Sequence, residues 1–341
     1  MNFPPTHRQP DNAMNDDLVV VTPIYEDVVA SGMLFDELHK VFGQGICVVA
    51  VDDGSVRQPV SAERIAAAGL NGVVIQLKRN VGHQRAIAVG LSYVADTLPS
   101  VQRVVVMDSD GEDVPATIVD LLHALDAPDV DVVVARRRSR VESLRFRSFY
   151  FAYRWMFRLL AGRRINFGNF MALKPASIRR LVAMQELWIH VAGCVLVSRL
   201  RMTVCPLDRG ARYSGRSQMN FVSLALHGFR GLMVFAEDVL VRVGIACAFV
   251  ATLAVMGAFA AIALKVMGYA TPGWFSIALG ILVLVFLQTG ALTLVTLMLT
   301  GVVRGTTSVP ANWEDFVAKT ELAKNTTLPP AIMEFPPIDT V

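Results

Sequence analysis

Residues 103–113 read RVVVMDSDGED. A short apolar run rich in β-branched residues is closed by a turn rich in carboxylates. A continuous apolar run of this length, bounded by turn residues, reads as a strand buried on both faces, as in a parallel sheet. The same construction recurs at 18–22 (LVVVT, closed by Pro23), at 46–51 (ICVVAV, closed by DDGS), at 73–77 (VVIQL) and at 131–135 (DVVVA). Between these runs, 27–42, 62–68, 85–95 and 116–125 carry helical spacing of apolar residues. Strands alternating with helices predict an α/β domain with a mostly parallel sheet and helices on both faces. The polar signals sit just after the strands, at the carboxyl edge where open α/β sheets bind ligands. No G-x-G-x-x-G follows the first strand, which argues against a dinucleotide dehydrogenase.

The rest of the chain differs in kind. Of 341 residues, 53% are hydrophobic and 18% charged, against averages of roughly 45–50% and 25%, and the apolar excess lies mostly after Val239. Residues 243–264 carry no charge, about 33 Å of helix at 1.5 Å per residue. After Lys265 the next charge is Arg304, and 275–299 is long enough to span again. The pattern predicts a transmembrane hairpin over 241–304, with Gly268, Pro272 and Gly273 in its link. Arg242 and Arg304 flank it, so the positive-inside rule puts both ends in the cytoplasm. Residues 216–240, apolar but interrupted by His227, Arg230, Glu237 and Asp238, are expected to lie along the membrane surface. The polar stretch 1–16 lacks the apolar core of a signal peptide and reads as a disordered arm before a catalytic domain over 17–215. The proline-rich residues 305–341 read as a loosely ordered cytoplasmic tail. Four scattered cysteines, with no CxxC pair, are expected to be reduced thiols.

Net charge is only +3, but ten arginines and one acid, Glu142, fall between 136 and 164. That excess points to an anionic partner. Nucleic acid is disfavoured, because no groove-reading motif accompanies the arginines and the hairpin puts them beside anionic lipid. The strongest chemical signal is Asp108-Ser109-Asp110 with Glu112 and Asp113. Carboxylates crowded at one strand end favour a bound divalent cation, which can grip a diphosphate leaving group. Asp52-Asp53-Gly54-Ser55 is a second acidic cluster at the same edge. Pro23-Ile24-Tyr25-Glu26 offers a stacking ring and an acceptor, and Arg79-Asn80-Val81-Gly82-His83-Gln84 opens a helix.

Together, PIYE (23–26), DDGS (52–55), RNVGHQRAIAVGL (79–91) and DSDGED (108–113) resemble the nucleotide-sugar site of inverting family-two glycosyltransferases with the GT-A fold. More closely, they resemble polyprenyl-phosphate glycosyltransferases, the group of dolichol-phosphate mannose synthase and its bacterial undecaprenyl-phosphate relatives. The resemblance spans about residues 17–304. It implies a UDP- or GDP-sugar donor held by Pro23, Tyr25, Glu26, Asp52, Asp53, Ser55, Arg79, Asn80, Gly82 and Asp108. It implies Mg²⁺ or Mn²⁺ on Asp108, Asp110 and Glu112, where Glu112 stands in a position often held by Gln. Asp108, Asp110 and Arg212 are the implied catalytic residues. Arg137, Arg140, Arg145, Ser148, Arg212 and Ser217 are implied for the acceptor phosphate. RYSGRSQ (212–218) ends in Gln218 where relatives carry Lys, and Asn166 and Met171 depart from the acceptor-side pattern.

A lipid phosphate acceptor is mostly dianionic at pH 7, because its second pKa is about 6. It is already a nucleophile, consistent with a sequence lacking an evident His–Asp pair. Arginines, with planar donors that pair bidentately, suit the task of holding two anions together. The expected enzyme is a multi-pass protein of the inner membrane with its catalytic domain and both termini in the cytoplasm. A homo-oligomer packed through 219–240 is open. So are a hydroxyl acceptor, with Asp113 or Glu186 as base, and a non-catalytic nucleotide-binding scaffold.

Overall fold

A computed structural model describes residues 18–137, 157–163, 166–214, 228–269, 271, 273–305 and 311–323. Two compact units emerge. One comprises Met1–Val141, Ile165–His227 and Val309–Val341; the other comprises Glu142–Arg164 and Gly228–Ser308.

The first unit is built on an eight-stranded sheet. Its strands are β1 (Leu18–Ile24), β2 (Ile46–Asp52), β3 (Asn71–Leu77), β4 (Arg103–Val106), β5 (Val132–Arg137), β6 (Met171–Leu173), β7 (Met202–Leu207) and β8 (Val317–Ala323). The order across the sheet is β7-β5-β6-β4-β1-β2-β3-β8. The central β4-β1-β2-β3 strands are parallel, as the unbroken apolar runs predict, while β6 and β8 run antiparallel to their neighbours. The helices are α1 (Val28–Phe42), α2 (Ala62–Ala67), α3 (His83–Thr97), α4 (Ile118–Leu125), α5 (Pro175–Val182) and α6 (Val191–Val197).

Strand side chains alternate between two cores. Val20, Val48, Val74, Val105 and Val133 pack with Leu34, Phe35 and Leu38 of α1, Ile65 of α2 and Leu121 of α4. Val19, Val21, Val49, Val51, Val104 and Val134 pack with Ile87 and Leu91 of α3, Leu181 of α5 and Val195 of α6. Each fully buried aliphatic chain contributes about 1.5–3 kcal/mol. The sheet is therefore covered on both faces, the α/β GT-A-like arrangement expected. The close seat of α3 depends on Gly90, where an added Cβ would stand 2.5 Å from Val21 Cγ1 and 3.0 Å from Val51 Cγ2.

The chain after β7 enters the second unit and then returns. Residues 311–323, expected to be part of a loosely ordered tail, instead form a short 3₁₀ turn (Trp313–Phe316) and edge strand β8. The strand pairs with β3 from Gly72↔Ala323 to Leu77↔Val317. Its residues are too polar to announce themselves. VAKTELA presents Lys319, Thr320 and Glu321 on a sheet edge, where only one flank needs covering.

In the second unit, α7 (Ala236–Val266) and α8 (Trp274–Gly305) are both long and apolar enough to cross a membrane, with mean hydropathies of 2.4 and 2.3. Their large apolar side chains point mostly outward, including Phe249, Phe259, Leu287 and Leu297. Small residues let the helices meet: Gly257 lies against Leu282 and Gly244 against Thr296. In α8 the hydroxyls of Thr289, Thr293, Thr296 and Thr300 donate to carbonyl oxygens of the preceding turn, which removes unsatisfied donors from an apolar setting. Helix α7 starts at Ala236, so the segment expected to be amphipathic over 216–240 yields its last residues to the long helix. Among its other described residues, 228–233 are helical.

Gly90→Ala is expected to lower the stability of the first unit by about 1–3 kcal/mol through overpacking. The measurement is the shift of the thermal unfolding transition in detergent. An unshifted transition would mean that α3 does not sit as close as described.

Candidate active site

The carboxyl ends of β1, β2, β3 and β4 carry four loops, and carboxylates tie them into one rim. After β1, Glu26 adopts φ 49, a left-handed conformation unusual outside glycine. Its backbone N–H donates to Ser55 Oγ at 2.8 Å. Its carboxylate accepts from the backbone N–H groups of Val56 (2.8 Å), Arg57 (3.1 Å to each oxygen) and Gln58 (2.9 Å). These amides, Val56 foremost, hold the Glu26 carboxyl below its ordinary pKa of 4.5, against the opposing effect of partial desolvation. Pro23 is buried at the end of β1, and Tyr25 is 44% exposed at the rim.

After β2, both aspartates are buried and face backbone rather than solvent. Asp52 accepts from Ser55 N–H (2.9 Å) and Val60 N–H (3.0 Å), closing its own loop. Asp53 accepts from Val81 N–H (2.7 Å) and Gly82 N–H (2.9 Å), which joins the loop after β2 to the start of α3. Burial pushes the Asp53 carboxyl up, and these two amides and His83 pull against it. Gly54 has φ 71, and a Cβ there would lie 2.4 Å from the carbonyl carbon of Arg79. DDGS and RNVG are thus two halves of one joint. Arg79 and Asn80 stand exposed on it.

After β4, the backbone N–H of Asp108 donates to Asp113 Oδ2 at 2.9 Å, and Asp108 Oδ1 lies 3.2 Å from His83 Nε2. Crowding by the protein pulls the His83 pKa down. The carboxylates of Asp108, Asp53 and Asp113 outweigh it, and the net displacement is upward. Asn169 Nδ2, from the loop before β6, stands 3.0 Å from the same imidazole nitrogen.

The loop after β7 clasps the acidic turn. Arg212 bridges Asp110 Oδ2 (2.9 Å) and Glu112 Oε1 (2.8 Å), and Arg209 pairs with the other oxygen of Glu112. Tyr213 N–H donates to the Asp110 carbonyl and Gly210 N–H to the Glu112 carbonyl. Gly111, at φ 88, leaves room for the Tyr213 ring, which a Cβ would meet at 2.7 Å. Arg209 is the partner that sequence reasoning missed; it lies three residues before the arginine singled out, and nothing in the sequence distinguished it.

The three carboxylates read as metal ligands therefore separate. Asp108 faces His83 and Asp110 faces Arg212, while Glu112 is buried between two arginines. Among the described residues no group of three His, Cys, Asp or Glu side chains is arranged to hold a metal ion. Glu112 does not fit a direct ligand here. A hard cation of the Mg²⁺ type keeps several waters and shares its remaining positions between one or two carboxylates and substrate phosphates, so it asks for no more than the carboxylates of Asp108 and Asp110. In the arginine-rich stretch read for the acceptor phosphate, Arg136 is exposed at the end of β5. Arg137 follows it in the strand, paired through the backbone with Leu207. Arg140, Arg145, Ser148 and Ser217 lie outside the described residues.

A mostly parallel sheet with rim loops and an acidic turn at its carboxyl edge has the arrangement of a GT-A glycosyltransferase fold. Residues 20–196 match Glycosyl transferase family 2, and the chain belongs to that family. It is 24% identical over 269 residues to an uncharacterized glycosyltransferase, YkoT, of Bacillus subtilis strain 168, covering 76% of this chain and 75% of that one. Among solved structures, it is similar to glucosyl-3-phosphoglycerate synthase from Mycobacterium tuberculosis in complex with Mn²⁺ and UDP-glucose. That match has a TM-score of 0.49 and 14% identity, over 66% of this chain and 79% of that one. The same enzyme with Mg²⁺ and UDP gives a TM-score of 0.45 at 15% identity, over 66% and 79%. The protein is a glycosyltransferase whose chemistry is sugar transfer from a nucleotide sugar.

The depressed pKa of Glu26 has a measurable consequence. The bonds to Val56, Arg57 and Gln58 are fully present above pH 4.5, the ordinary glutamate value, and are lost as pH falls through the lower folded value. Amide-exchange protection factors at 56–58 are expected to fall in that acid window. In Glu26→Gln they should be lower throughout and flat with pH. Identical profiles in the two proteins would show that the carboxylate does not hold this loop.

Proposed function

We propose that the protein transfers a sugar, with inversion, from a UDP- or GDP-linked donor to a polyprenyl phosphate of the undecaprenyl type at the cytoplasmic face of the inner membrane. The observation that carries the membrane part of this reading is the path of the chain. It leaves the catalytic sheet after β7, forms two helices long and apolar enough to cross a bilayer, and returns to the same sheet as β8. The strands that flank the helix pair, β7 and β8, belong to one sheet, so the number of crossings between them is even. A two-helix hairpin meets that condition, and Arg242 and Arg304 at its two ends support the cytoplasmic side by the positive-inside rule.

In this reading the donor nucleoside lies along the first rim. The Tyr25 ring offers a face for the base, and the joint made by Pro23, Glu26, Asp52, Asp53, Ser55 and Gly82 gives the pocket its shape. Arg79 and Asn80 reach from that joint toward the diphosphate. Asp108 and Asp110 would hold the Mg²⁺ or Mn²⁺ ion. Bound there, such an ion offsets the charge of the departing nucleoside diphosphate. Arg212 can exchange its carboxylate partners for phosphate oxygens, a pairing its planar donors make equally well. Glu112, held also by Arg209, keeps this guanidinium at the rim. Arg137, Arg140, Arg145, Ser148 and Ser217 are proposed for the acceptor phosphate. A phosphate dianion needs no base to attack the anomeric carbon. Consistent with this, Asp113 of the acidic turn is buried and accepts the Asp108 N–H.

Purified full-length protein in detergent, given undecaprenyl phosphate, Mg²⁺ or Mn²⁺ and radiolabelled UDP- and GDP-sugars, is expected to yield one labelled lipid. Asp110→Ala should lower its formation by at least about a hundredfold, the scale of losing a group that stabilises transition-state charge. The rate should rise with pH through the acceptor's second ionisation, near pH 6, and then level. Labelled product on a hydroxyl acceptor but not on the lipid phosphate would replace this acceptor with another. Donor binding with no transfer at all would favour a scaffold.

A further inference from the structure

The donor-side joint is held from outside as well as from within. Its inner fastening is Asp53 on the amides of Val81 and Gly82, with Gly54 packed on Arg79. Its outer fastening comes from chain that follows the helix pair. Lys78, the residue before Arg79, donates its backbone N–H to Phe316 O at 2.9 Å and its ammonium to Asp315 O at 3.0 Å. The β3 ladder shifts register between Gln76 and Leu77, where β8 begins. The end of β3 is thus shaped by contact with residues 315–317.

These residues are themselves pinned at three places. Trp313, only 5% exposed, packs edge-on against Tyr93 of α3 at 5.5 Å and donates its indole N–H to Asp96 at 2.7 Å. Phe316 stacks on Trp188 at 5.3 Å. Glu321 accepts from Ala62 N–H at the start of α2, at 3.3 Å. Such fastening exceeds what an edge strand needs for pairing alone. It ties the strand before Arg79 (β3) and the last turns of α3, the helix that starts after Gly82, to one short turn. The loop between them carries two exposed polar side chains, Arg79 and Asn80; it is braced directly at Lys78 and, on its other side, through the body of α3.

We infer that Trp313 and the turn it anchors are positioning residues for nucleotide-sugar binding. They set Arg79 and Asn80 by bracing the 78–82 loop, so the segment after the helix pair is a working part of the donor site. The inference rests on the donor role proposed for that loop. Misplacing binding groups by about 1 Å is enough to change rates by up to about a hundredfold. An effect confined to the donor side distinguishes bracing from general stabilisation.

The test uses full-length Trp313→Ala, Asp96→Ala and Trp313→Phe, with UDP and GDP binding by calorimetry and initial rates against donor and lipid acceptor. Trp313→Ala is expected to raise the nucleotide Kd and donor KM by about tenfold. Acceptor KM and kcat should stay within about twofold. Trp313→Phe keeps the ring contact and should recover most of the loss. Asp96→Ala removes only the indole's partner and should shift donor KM in the same direction, with faster amide exchange at 79–82; it decides the matter if Trp313→Ala does not fold. Unchanged donor binding in Asp96→Ala and Trp313→Ala overturns the inference. So does a uniform change in kcat and both KM values in folded protein. Wild-type protein that binds neither UDP nor GDP would instead overturn the underlying reading of the loop as a donor site.

Discussion

The active face depends on carboxylates that accept backbone amides. Parallel strands end with their carbonyl groups spent on neighbours, and the loops beyond have no ladder to order them. Here Glu26, Asp52 and Asp53 supply that order, receiving seven backbone hydrogen bonds from three stretches of loop in which the Arg57 amide is shared between two oxygens. Charge-assisted bonds of this kind are about twice as strong as neutral ones, and two of the three acceptors are fully buried. With the rim fixed in this way, Tyr25, Arg79 and Asn80 stand at its surface with their side chains still available.

A second constraint is electrostatic. The turn after β4 brings Asp108, Asp110, Glu112 and Asp113 within six residues. Such a cluster would repel itself apart without counter-charge. The chain supplies it in two ways: His83 beside Asp108, and Arg209 with Arg212 on Asp110 and Glu112. The resting partners of the acidic turn are therefore of the same charge as the ions and cationic groups that a diphosphate brings or attracts. The guanidinium of Arg212 that neutralises the turn is of a kind also suited to hold phosphate.

Much of the fold was legible because burial on both faces leaves no room for polar residues. The runs at 18–22, 46–51, 73–77, 103–107 and 131–135 all became strands of the central sheet. The helices between them appeared within a few residues of their apolar spacing. Strands β6, β7 and β8 were not legible. Met171–Leu173 is three residues long, while Met202–Leu207 and Val317–Ala323 are partly exposed and mixed in character, so neither length nor periodicity marks them. The site was legible as motifs but not as contacts. DDGS and RNVG each looked like a loop that binds something. Only the fold reveals that Asp53 binds RNVG, and that Glu112, placed among metal ligands by the resemblance, spends its charge on two arginines. Side-chain partners a hundred residues apart leave no trace in local pattern.

The return of the chain to β3 bears on how the molecule is made. Strand β3 stays an open edge until a partner is synthesised some 240 residues later. At roughly 5–20 residues per second, the wait is on the order of ten to fifty seconds. During that time an apolar parallel sheet offers unpaired N–H and C=O groups to any neighbouring strand. Because the missing strand follows both long apolar helices, the sheet cannot be closed before those helices have been synthesised. Biogenesis thus acquires a built-in order: the helix pair is made first, and the catalytic unit is completed last. A chain stalled in the apolar helices is left with an unsealed edge, a feature by which quality control can tell an unfinished copy from a finished one.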